Sequence, residues 1–440
     1  MDPAQAFARP YVVSWNLTYR CNLACEHCYL DAGAKPQVTD DDAFADRSEL
    51  TTEQCFKVAD DIAAFAPEAV TILTGGEPLL RRDILEIVRH ANSKGLWVVV
   101  GTNGVKITPT LAVLLKKEGV RGLSLSLDAL DPERHDRFRR VRGAWQNTVG
   151  GARILRDADL PFIVQTTIGA HNVDELEAIA AFAHDQLAAK VWNLYFLVPT
   201  GRGAFVSDIS PAAYDGILEG LRGIQARYAG RMLVNAKCAP HYVKTLIEQD
   251  PESPFLKTYT GGAGGCPAGT HYMGIRPNGD VTPCPYLPVF GGNLRSESLA
   301  DVWARSEPFV AIRKRAELGG RCGACELNSM CGGCRARAYG ATGDMMAEDP
   351  LCTHELGKFA GSPLIQVSRA AVEYGHTVDG GSELVWDDDA RERMKRIPAF
   401  VRGMVVKAVE SYCAKNGIAR VTVGQLEEIR GRMPAGKVFG

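Results

Sequence analysis

The sequence lacks an excess of charge of either sign. Its 50 Lys and Arg residues nearly balance its 52 Asp and Glu residues, which leaves a net charge of −2 at pH 7. Proteins that bind the nucleic-acid backbone usually carry a clear basic excess, and none is present here. The composition therefore argues against a nucleic-acid partner.

Long apolar runs are also missing. No run approaches the roughly 18 to 20 residues that a membrane-spanning helix needs. The opening residues, MDPAQAFARP, contain no basic segment followed by an apolar one, which is the pattern of a signal peptide. We see no convincing internal repeat. We expect a cytoplasmic protein without a membrane partner.

Cysteine, by contrast, is abundant, with 13 residues. Disulfides are rare in a reducing compartment, so clustered thiols there are more often metal ligands. Three cysteines lie close together near the N-terminus, and seven lie between Cys266 and Cys352. Cys55 and Cys413 stand alone, and we predict that they are buried apolar residues. The sequence therefore predicts two metal-binding regions.

The first half of the chain alternates short apolar runs with helical patterns. Runs that are apolar on both faces are typical of parallel strands covered by helices, and the segments between them carry apolar residues three and four apart. This alternation predicts an α/β fold with a partial (β/α)6 barrel, and a doubly wound open sheet is the alternative. The runs are Tyr11–Leu17, Val70–Leu73, Trp97–Val100, Gly122–Leu127, Pro161–Ile168 and Val191–Val198.

Changes in composition along the chain suggest its domain organisation. The glycine-rich stretch Gly261–Gly265 leads into a region rich in cysteine and turns, and helical patterns resume only after a probable linker. We expect the partial barrel at residues 1–230 and a cysteine-rich domain at 231–360. A linker at 361–385 and a small all-α domain at 386–440 complete the predicted organisation.

The N-terminal cysteines form the pattern C-x3-C-x2-C at Cys21, Cys25 and Cys28, directly after the first predicted strand. Three thiolates can hold three irons of a four-iron cluster and leave the fourth iron without a protein ligand. An open metal position is what chemistry on a bound molecule requires. A zinc site is the alternative, but zinc normally takes four ligands, and His27 is too close in sequence to be a convincing fourth.

A second motif follows the second predicted strand, where Gly75, Gly76 and Glu77 precede a proline. Together the two motifs resemble the radical S-adenosylmethionine (radical-SAM) superfamily, and the resemblance covers about residues 11–355. In that family the Gly-Gly-Glu-Pro turn contacts the amino group of the cosubstrate. Glycines allow the backbone to approach a ligand closely, and a carboxylate complements a cation.

Later strand ends carry further candidates for binding S-adenosylmethionine. The resemblance implies that Ser126 and Asp128 face the ribose and carboxylate of the cosubstrate, that Arg202 pairs with the carboxylate, and that Asn103 also contributes. Capping or turn roles are the alternative for each. The family usually has an aromatic residue before the third cysteine, where this chain has His27, and an imidazole can still stack near an adenine.

The seven downstream cysteines include the run C-x2-C-x5-C-x2-C. A zinc ribbon uses two C-x2-C pairs and would leave three of the seven without a role. The order instead resembles the SPASM extension of radical-SAM enzymes, which carries auxiliary four-iron clusters. The resemblance implies one cluster held by Cys322, Cys325, Cys331 and Cys352, and a second held by Cys266, Cys284 and Cys334.

This second group departs from the common SPASM pattern in one respect. Only Gly332 and Gly333 separate the last two cysteines of the run, where the family usually has three residues. The second auxiliary cluster also has three obvious thiolates rather than four. Cys238 is our candidate for the missing ligand, and the alternative is an open iron that binds substrate.

The resemblance implies an enzyme that reductively cleaves S-adenosylmethionine to a 5′-deoxyadenosyl radical and abstracts hydrogen from a substrate. The expected cofactors are three four-iron clusters and S-adenosylmethionine, with flavodoxin or ferredoxin as reductant. The auxiliary clusters would remove an electron from the substrate or bind it directly.

The segments KCAPHY and VPTGRG resemble the enzymes of alternative haem and nitrite-reductase haem biosynthesis, which decarboxylate tetrapyrrole side chains or remove acetate from them. The C-terminal segment resembles the small domain that ends a light-independent protochlorophyllide reductase subunit. The alternatives are a peptide-modifying SPASM maturase and, in another class, a non-catalytic iron–sulfur electron carrier.

Overall fold

The structure is a computed structural model that describes residues 9–33, 48–206, 209–253, 255–256, 259, 265–365, 384–395, 405–406, 409–410 and 412–432. Most of the predicted linker and of the glycine-rich stretch before Cys266 lies outside the described residues.

Ten strands of the described chain form a single sheet in the order β10-β9-β8-β1-β2-β3-β4-β5-β6-β7. The strands are β1 Val12–Asn16, β2 Val70–Thr74, β3 Trp97–Thr102, β4 Leu123–Ser126, β5 Phe162–Ile168, β6 Val191–Phe196, β7 Leu233–Lys237, β8 Tyr272–Ile275, β9 Asp280–Thr282 and β10 Gly292–Asn293.

Strands β1 to β7 are parallel, and each pairs with the next along the chain. Strand β8 pairs in parallel with the free side of β1, and β9 and β10 follow it antiparallel. The α/β prediction is confirmed, and all six predicted strands are present. Strand β7 was not predicted. Strands β7 and β8 follow residue 230 in the chain and still belong to this sheet. The boundary between the first two domains at residue 230 therefore stays a prediction.

Helices connect the successive parallel strands β1 to β7 and cover one face of the sheet, and further helices follow β7 and β10 and lie in the C-terminal segment. They are α1 Thr52–Phe65, α2 Ile84–Ser93, α3 Pro109–Lys117, α4 Pro132–Arg139, α5 Ala144–Asp157, α6 Leu176–Ala181, α7 Pro211–Tyr228, α8 Tyr242–Gln249, α9 Leu299–Arg305, α10 Glu307–Arg313, α11 Gly320–Ala324, α12 Arg335–Thr342, α13 Asp388–Lys395 and α14 Val423–Arg432. Several helices begin at local caps. Thr51 forms a capping box with Gln54 at the start of α1, and Ser210 caps α7 ahead of Pro211, as expected for such residues.

The two faces of the sheet differ in polarity because side chains alternate along each strand. On β5, Phe162, Val164 and Ile168 are buried in the same core as helix residues such as Leu155. The alternate residues of β5, such as Gln165, are only half-buried and face the inner side. This inner side is the space in which an active site of this fold class would lie.

The C-terminal segment has its own small core, which includes Trp386, Met394 and Val421. Helices α13 and α14 agree with the predicted helical domain. The described residues add one feature, a parallel two-stranded ribbon of β11 Val385–Trp386 and β12 Arg420–Val421. The buried Trp386 and Val421 side chains, which are directly opposite in register, explain the ribbon.

Among the described residues, no helix is both long enough and apolar enough to cross a membrane.

Candidate iron–sulfur and S-adenosylmethionine site

The loop after β1 brings the first three cysteines together. Cys21 and Cys25 are buried and Cys28 is half-buried, and all three are free thiols. The backbone N–H of Leu23 donates to Cys21 Sγ at 3.4 Å, and that of Ala32 donates to Cys28 Sγ at 3.4 Å. Burial raises the pKa of the Cys21 thiol to about 12. Thiolates in this position therefore need a bound cation, and iron supplies one.

The Gly-Gly-Glu-Pro turn at the end of β2 packs directly against the chain that leads into Cys21. A Cβ on Gly75, whose φ is +142°, would lie 2.8 Å from the carbonyl oxygen of Thr18, and a Cβ on Gly76 would lie 2.4 Å from that of Arg20. The Gly76 N–H donates to the Thr18 carbonyl at 2.7 Å. Only glycine fits at both positions, so this contact fixes the turn beside the cysteine loop.

The Glu77 side chain is fully buried and points into the protein. Its carboxylate accepts hydrogen bonds from Thr102 Oγ1 at 2.8 Å, from the Asn103 N–H at 2.8 Å and from the Leu79 N–H at 3.0 Å. Burial nevertheless raises its pKa to about 7. We expected this carboxylate to complement a cationic group of the ligand, but in the structure it connects the end of β2 to the end of β3. The backbone of the turn, and not the Glu77 side chain, is therefore the part that can contact a ligand.

Asn103 joins the end of β3 to the cysteine loop. Its side-chain nitrogen donates to Asn22 Oδ1 at 2.9 Å and lies 3.9 Å from Cys21 Sγ, and its side-chain oxygen accepts from the Val105 N–H. The structure therefore places this predicted site residue at the cluster loop.

Asp128 also lies at the site, but an arginine that the sequence analysis missed occupies its carboxylate. Arg139 pairs with Asp128 Oδ2 through Nε at 2.6 Å and Nη2 at 2.5 Å. Burial opposes ionisation of Asp128, but the charge of Arg139 and smaller contributions from neighbouring groups, among them the Thr167 N–H, together outweigh burial and lower the pKa to about 2. Arg139 also donates from Nη1 to Cys25 Sγ at 3.5 Å. In the structure, Asp128 therefore orients the arginine beside Cys25 instead of facing a ligand.

Arg202 differs from expectation in a similar way. Its Nε donates to the carbonyl oxygen of Cys25 at 2.9 Å, its Nη1 to Asp31 Oδ1 at 2.6 Å and its Nη2 to the carbonyl of Ala32 at 2.9 Å. All three guanidinium nitrogens are engaged, so in this structure Arg202 fastens the cysteine loop instead of awaiting the cosubstrate carboxylate.

Ser126 ends β4 and lies opposite Gln165 of β5 on the inner side of the sheet. His27 is half-buried and stacks on Phe138 with ring centroids 4.5 Å apart, and Phe138 stacks in turn on His171 at 3.9 Å. Burial lowers the pKa of His27 to about 3. This direction of shift favours the neutral imidazole at pH 7.

The downstream cysteines fall into two groups. The sulfur atoms of the first group accept hydrogen bonds from backbone N–H groups and from one arginine. Arg335 Nη2 lies 3.4 Å from Cys322 Sγ, the Leu327 N–H donates to Cys325 Sγ, and the Gly333 N–H donates to Cys331 Sγ. Cys352 completes this group, since it lies close enough to Cys325 and Cys331 to influence the pKa of both.

The second group gathers around Cys334, whose thiol lies close enough to those of Cys238 and Cys266 for both to influence its pKa. Cys284 lies beside Cys266 and Cys334. Cys238 has a φ of +55°, which is an uncommon backbone conformation for a residue with a side chain. Arg337 donates to the Cys238 carbonyl at 2.7 Å and holds this conformation. The structure thus gathers these four thiols.

Two consecutive glycines explain the shortened spacing before Cys334. Gly332 and Gly333 have φ values of +67° and +57°, so the chain turns through two left-handed residues in succession. A Cβ on Gly333 would lie 2.9 Å from Cys322 Sγ. This tight turn directs Cys331 toward one group of thiols and Cys334 toward the other.

A parallel α/β sheet with a three-cysteine loop after β1 and a Gly-Gly-Glu-Pro turn after β2 defines an enzyme that binds S-adenosylmethionine at an iron–sulfur cluster. The chain matches the profile of the Radical SAM superfamily over residues 15–183, of an iron-sulfur cluster-binding domain, SPASM, over 266–334, and of the proto-chlorophyllide reductase 57 kD subunit over 386–430.

The chain belongs to the radical SAM superfamily. It is similar to the AdoMet-dependent heme synthase of Methanosarcina barkeri, with 38% identity over 79% of this chain and 98% of the relative. It is 30% identical to the Fe-coproporphyrin III synthase of the same organism, over 78% of this chain and 85% of that one. The predicted radical-SAM and SPASM resemblance is confirmed, so the electron-carrier alternative is set aside.

Peptide-modifying enzymes are more distant relatives. The mycofactocin maturase of Mycolicibacterium smegmatis is 29% identical over 79% of this chain and 84% of its own length. Among solved structures, Streptococcus suis SuiB bound to S-adenosylmethionine aligns with a TM-score of 0.63 and 16% identity, covering 79% of this chain and 78% of SuiB. At that identity the structural similarity supports the fold alone.

Proposed function

We propose that the protein removes carboxyl groups from propionate side chains of an iron tetrapyrrole, in the final conversion to haem. The observation that carries this proposal is the 38% identity to a heme synthase along 98% of that relative's length. The similarity to an Fe-coproporphyrin III synthase suggests that iron coproporphyrin III, the compound in that relative's name, is the substrate here. Coproporphyrin III carries propionates at the positions where haem has vinyl groups.

The conversion of one side chain can be written in balanced form. A propionate, –CH2–CH2–COO⁻, becomes a vinyl group, –CH=CH2, when it loses one hydrogen atom, CO2 and one electron. When bound, S-adenosylmethionine and the first cluster supply the radical that takes the hydrogen atom, and the auxiliary clusters supply an acceptor for the electron. The protein's own residues must hold the side chain in position and exclude water.

For the cosubstrate, we propose that the backbone of Gly75 and Gly76 binds the amino group and that Asn103 and Ser126 line the site. Glu77, Asp128 and Arg202 keep the site in shape through the contacts described above. These three side chains would therefore act as positioning residues, because none of them has a free polar group aimed at a ligand.

We propose Cys238 as the fourth ligand of the second auxiliary cluster, with Cys266, Cys284 and Cys334. The proximity of the Cys238 and Cys334 thiols supports this assignment. The left-handed backbone of Cys238 also supports it, because strained residues cluster at functional sites. The first auxiliary cluster would be held by Cys322, Cys325, Cys331 and Cys352.

A low-potential reductant such as flavodoxin or ferredoxin is our proposal for the electron donor. The Ala24 and Glu26 N–H groups of the first cysteine loop donate to the carbonyl oxygens of Arg139 and Phe138. The segment of Phe138 and Arg139 is flanked by three exposed arginines, Arg137, Arg140 and Arg142. Such basic groups beside the cluster complement an acidic electron carrier.

The proposal predicts that the holoprotein binds iron coproporphyrin III and does not bind a peptide. We expect an anaerobic titration to shift the Soret band of the iron porphyrin with saturation at one equivalent per chain, while an excess of a precursor peptide leaves the titration unchanged. Peptide binding, together with the absence of any Soret shift, would favour the peptide-maturase alternative.

A further inference from the structure

The inner face of the sheet carries two rows of polar side chains near the carboxyl ends of β5, β6 and β7. In register, Gln165 lies opposite Asn193, and Asn193 lies opposite Asn235. Two residues further along each strand, Tyr195 lies opposite Thr167 on one side and opposite Lys237 on the other. Because successive residues alternate between faces, these side chains all face the inner side of the sheet.

Lys237 is the one cation of these two rows. Its side chain is exposed to solvent, and its register position beside Tyr195 places it on the inner side of the sheet. Among the described residues, the ion pairs involve no carboxylate partner for Lys237.

Phenol groups surround the same space. The Tyr195 hydroxyl accepts a hydrogen bond from Gln165 Nε2 at 3.4 Å, so its own proton can be donated to another acceptor. Tyr286 packs edge-on against Tyr29 with ring centroids 4.7 Å apart, and it lies 6.3 Å from the Tyr195 ring. An ammonium group, a phenol donor and aromatic walls suit an apolar molecule with a carboxylate at its rim.

This space lies between the two cysteine regions. Tyr29 directly follows Cys28 of the first cluster loop, and its ring packs against that of Tyr286, which lies two residues after Cys284. Tyr195 lies opposite Lys237, the residue before Cys238. A molecule held here would be close to both the radical source and an electron acceptor.

We propose that Lys237 anchors a substrate carboxylate inside the barrel through an ion pair, with the Tyr195 hydroxyl donating a second hydrogen bond to the same group. The inference rests on the proposed function, because it takes the carboxylate to be a propionate of an iron tetrapyrrole. Lys237 precedes Cys238 in the chain, so the anchored side chain is held next to the second auxiliary group.

The test measures the affinity of holoproteins for iron coproporphyrin III by anaerobic Soret titration. We expect Lys237→Met to weaken binding by at least about tenfold, and we expect Lys237→Arg, which keeps the charge, to stay close to wild type. Lys117→Met is the matched control, because Lys117 is an exposed lysine at the end of α3, and it should bind as the wild type does. Iron content is measured for every variant to confirm that the clusters are loaded.

The tetramethyl ester of the same iron porphyrin makes the test independent of any variant. The wild type should bind the ester at least about tenfold more weakly than the acid, and Lys237→Met should reduce that difference. Equal affinity of wild type and Lys237→Met for the acid, or of the wild type for acid and ester, would overturn the role of Lys237 and leave the proposed function standing. Failure of the wild type to bind any iron porphyrin would overturn both.

Discussion

Replacing Cys21, Cys25 and Cys28 together by alanine is expected to abolish reductive cleavage of S-adenosylmethionine. These are the thiols of the loop after β1, and no other described cysteine lies in that loop. Loss of the residues that hydrogen-bond to metal ligands typically lowers metal affinity or activity by about 10- to 100-fold. Removal of all three ligands should therefore lower the rate of cleavage by more than about a hundredfold. The measurement is 5′-deoxyadenosine formed under argon after dithionite reduction.

The matched control is Cys413→Ala, which removes a buried thiol from the separate C-terminal core and should leave 5′-deoxyadenosine formation unchanged. Iron analysis distinguishes cluster loss from misfolding, since we expect about 12 irons per chain in the wild type and about 8 in the triple variant. Undiminished 5′-deoxyadenosine from a triple variant with the reduced iron count would show that the cleavage site lies elsewhere.

Gly333→Ala is expected to remove the first auxiliary cluster. The added methyl group would lie 2.9 Å from Cys322 Sγ and 2.6 Å from Arg335 Nη2, and the left-handed backbone adds about 1 to 2 kcal/mol of strain. Cys322 would therefore be displaced from the other three thiols of its group. We expect the iron content to fall from about 12 to about 8 per chain, measured together with the Mössbauer spectrum.

Gly343→Ala provides the control for backbone strain. Gly343 also has a positive φ, +76°, but a Cβ there would have no neighbouring atom within 4 Å, so this variant should keep the full iron content and lose only stability. If Gly333→Ala and Gly343→Ala hold equal amounts of iron, the contact with Cys322 is not important for the cluster. Stoichiometric zinc in the wild type would instead favour the zinc-ribbon alternative.

The cysteine groups could be predicted from the sequence because iron ligands recur at short, fixed spacings. The six predicted strands were found for a related reason, since each is a mostly apolar run that alternates with helical patterns. Strand β7 was missed because Asn235 and Lys237 alternate with apolar residues and break such a run. Those polar residues interrupt the run because they line the inner space of the sheet.

The roles of the charged site residues could not be predicted in the same way. Arg202 reaches residues 170 or more positions away, and Arg139 lies 114 positions from Cys25. Nothing in the local sequence determines which of several arginines meets a given carbonyl or thiol. The arginine-rich segment near Arg139 was the only signal, and it did not distinguish the one buried arginine from its exposed neighbours.

The most direct test of the central claim follows hydrogen from substrate to cosubstrate. The holoenzyme is incubated anaerobically with S-adenosylmethionine, reductant and iron coproporphyrin III deuterated on its propionate methylenes, and the products are analysed by mass spectrometry. We predict one deuterium in each 5′-deoxyadenosine and a porphyrin that loses CO2 as its vinyl groups form. Unlabelled 5′-deoxyadenosine with an unchanged porphyrin would contradict the account.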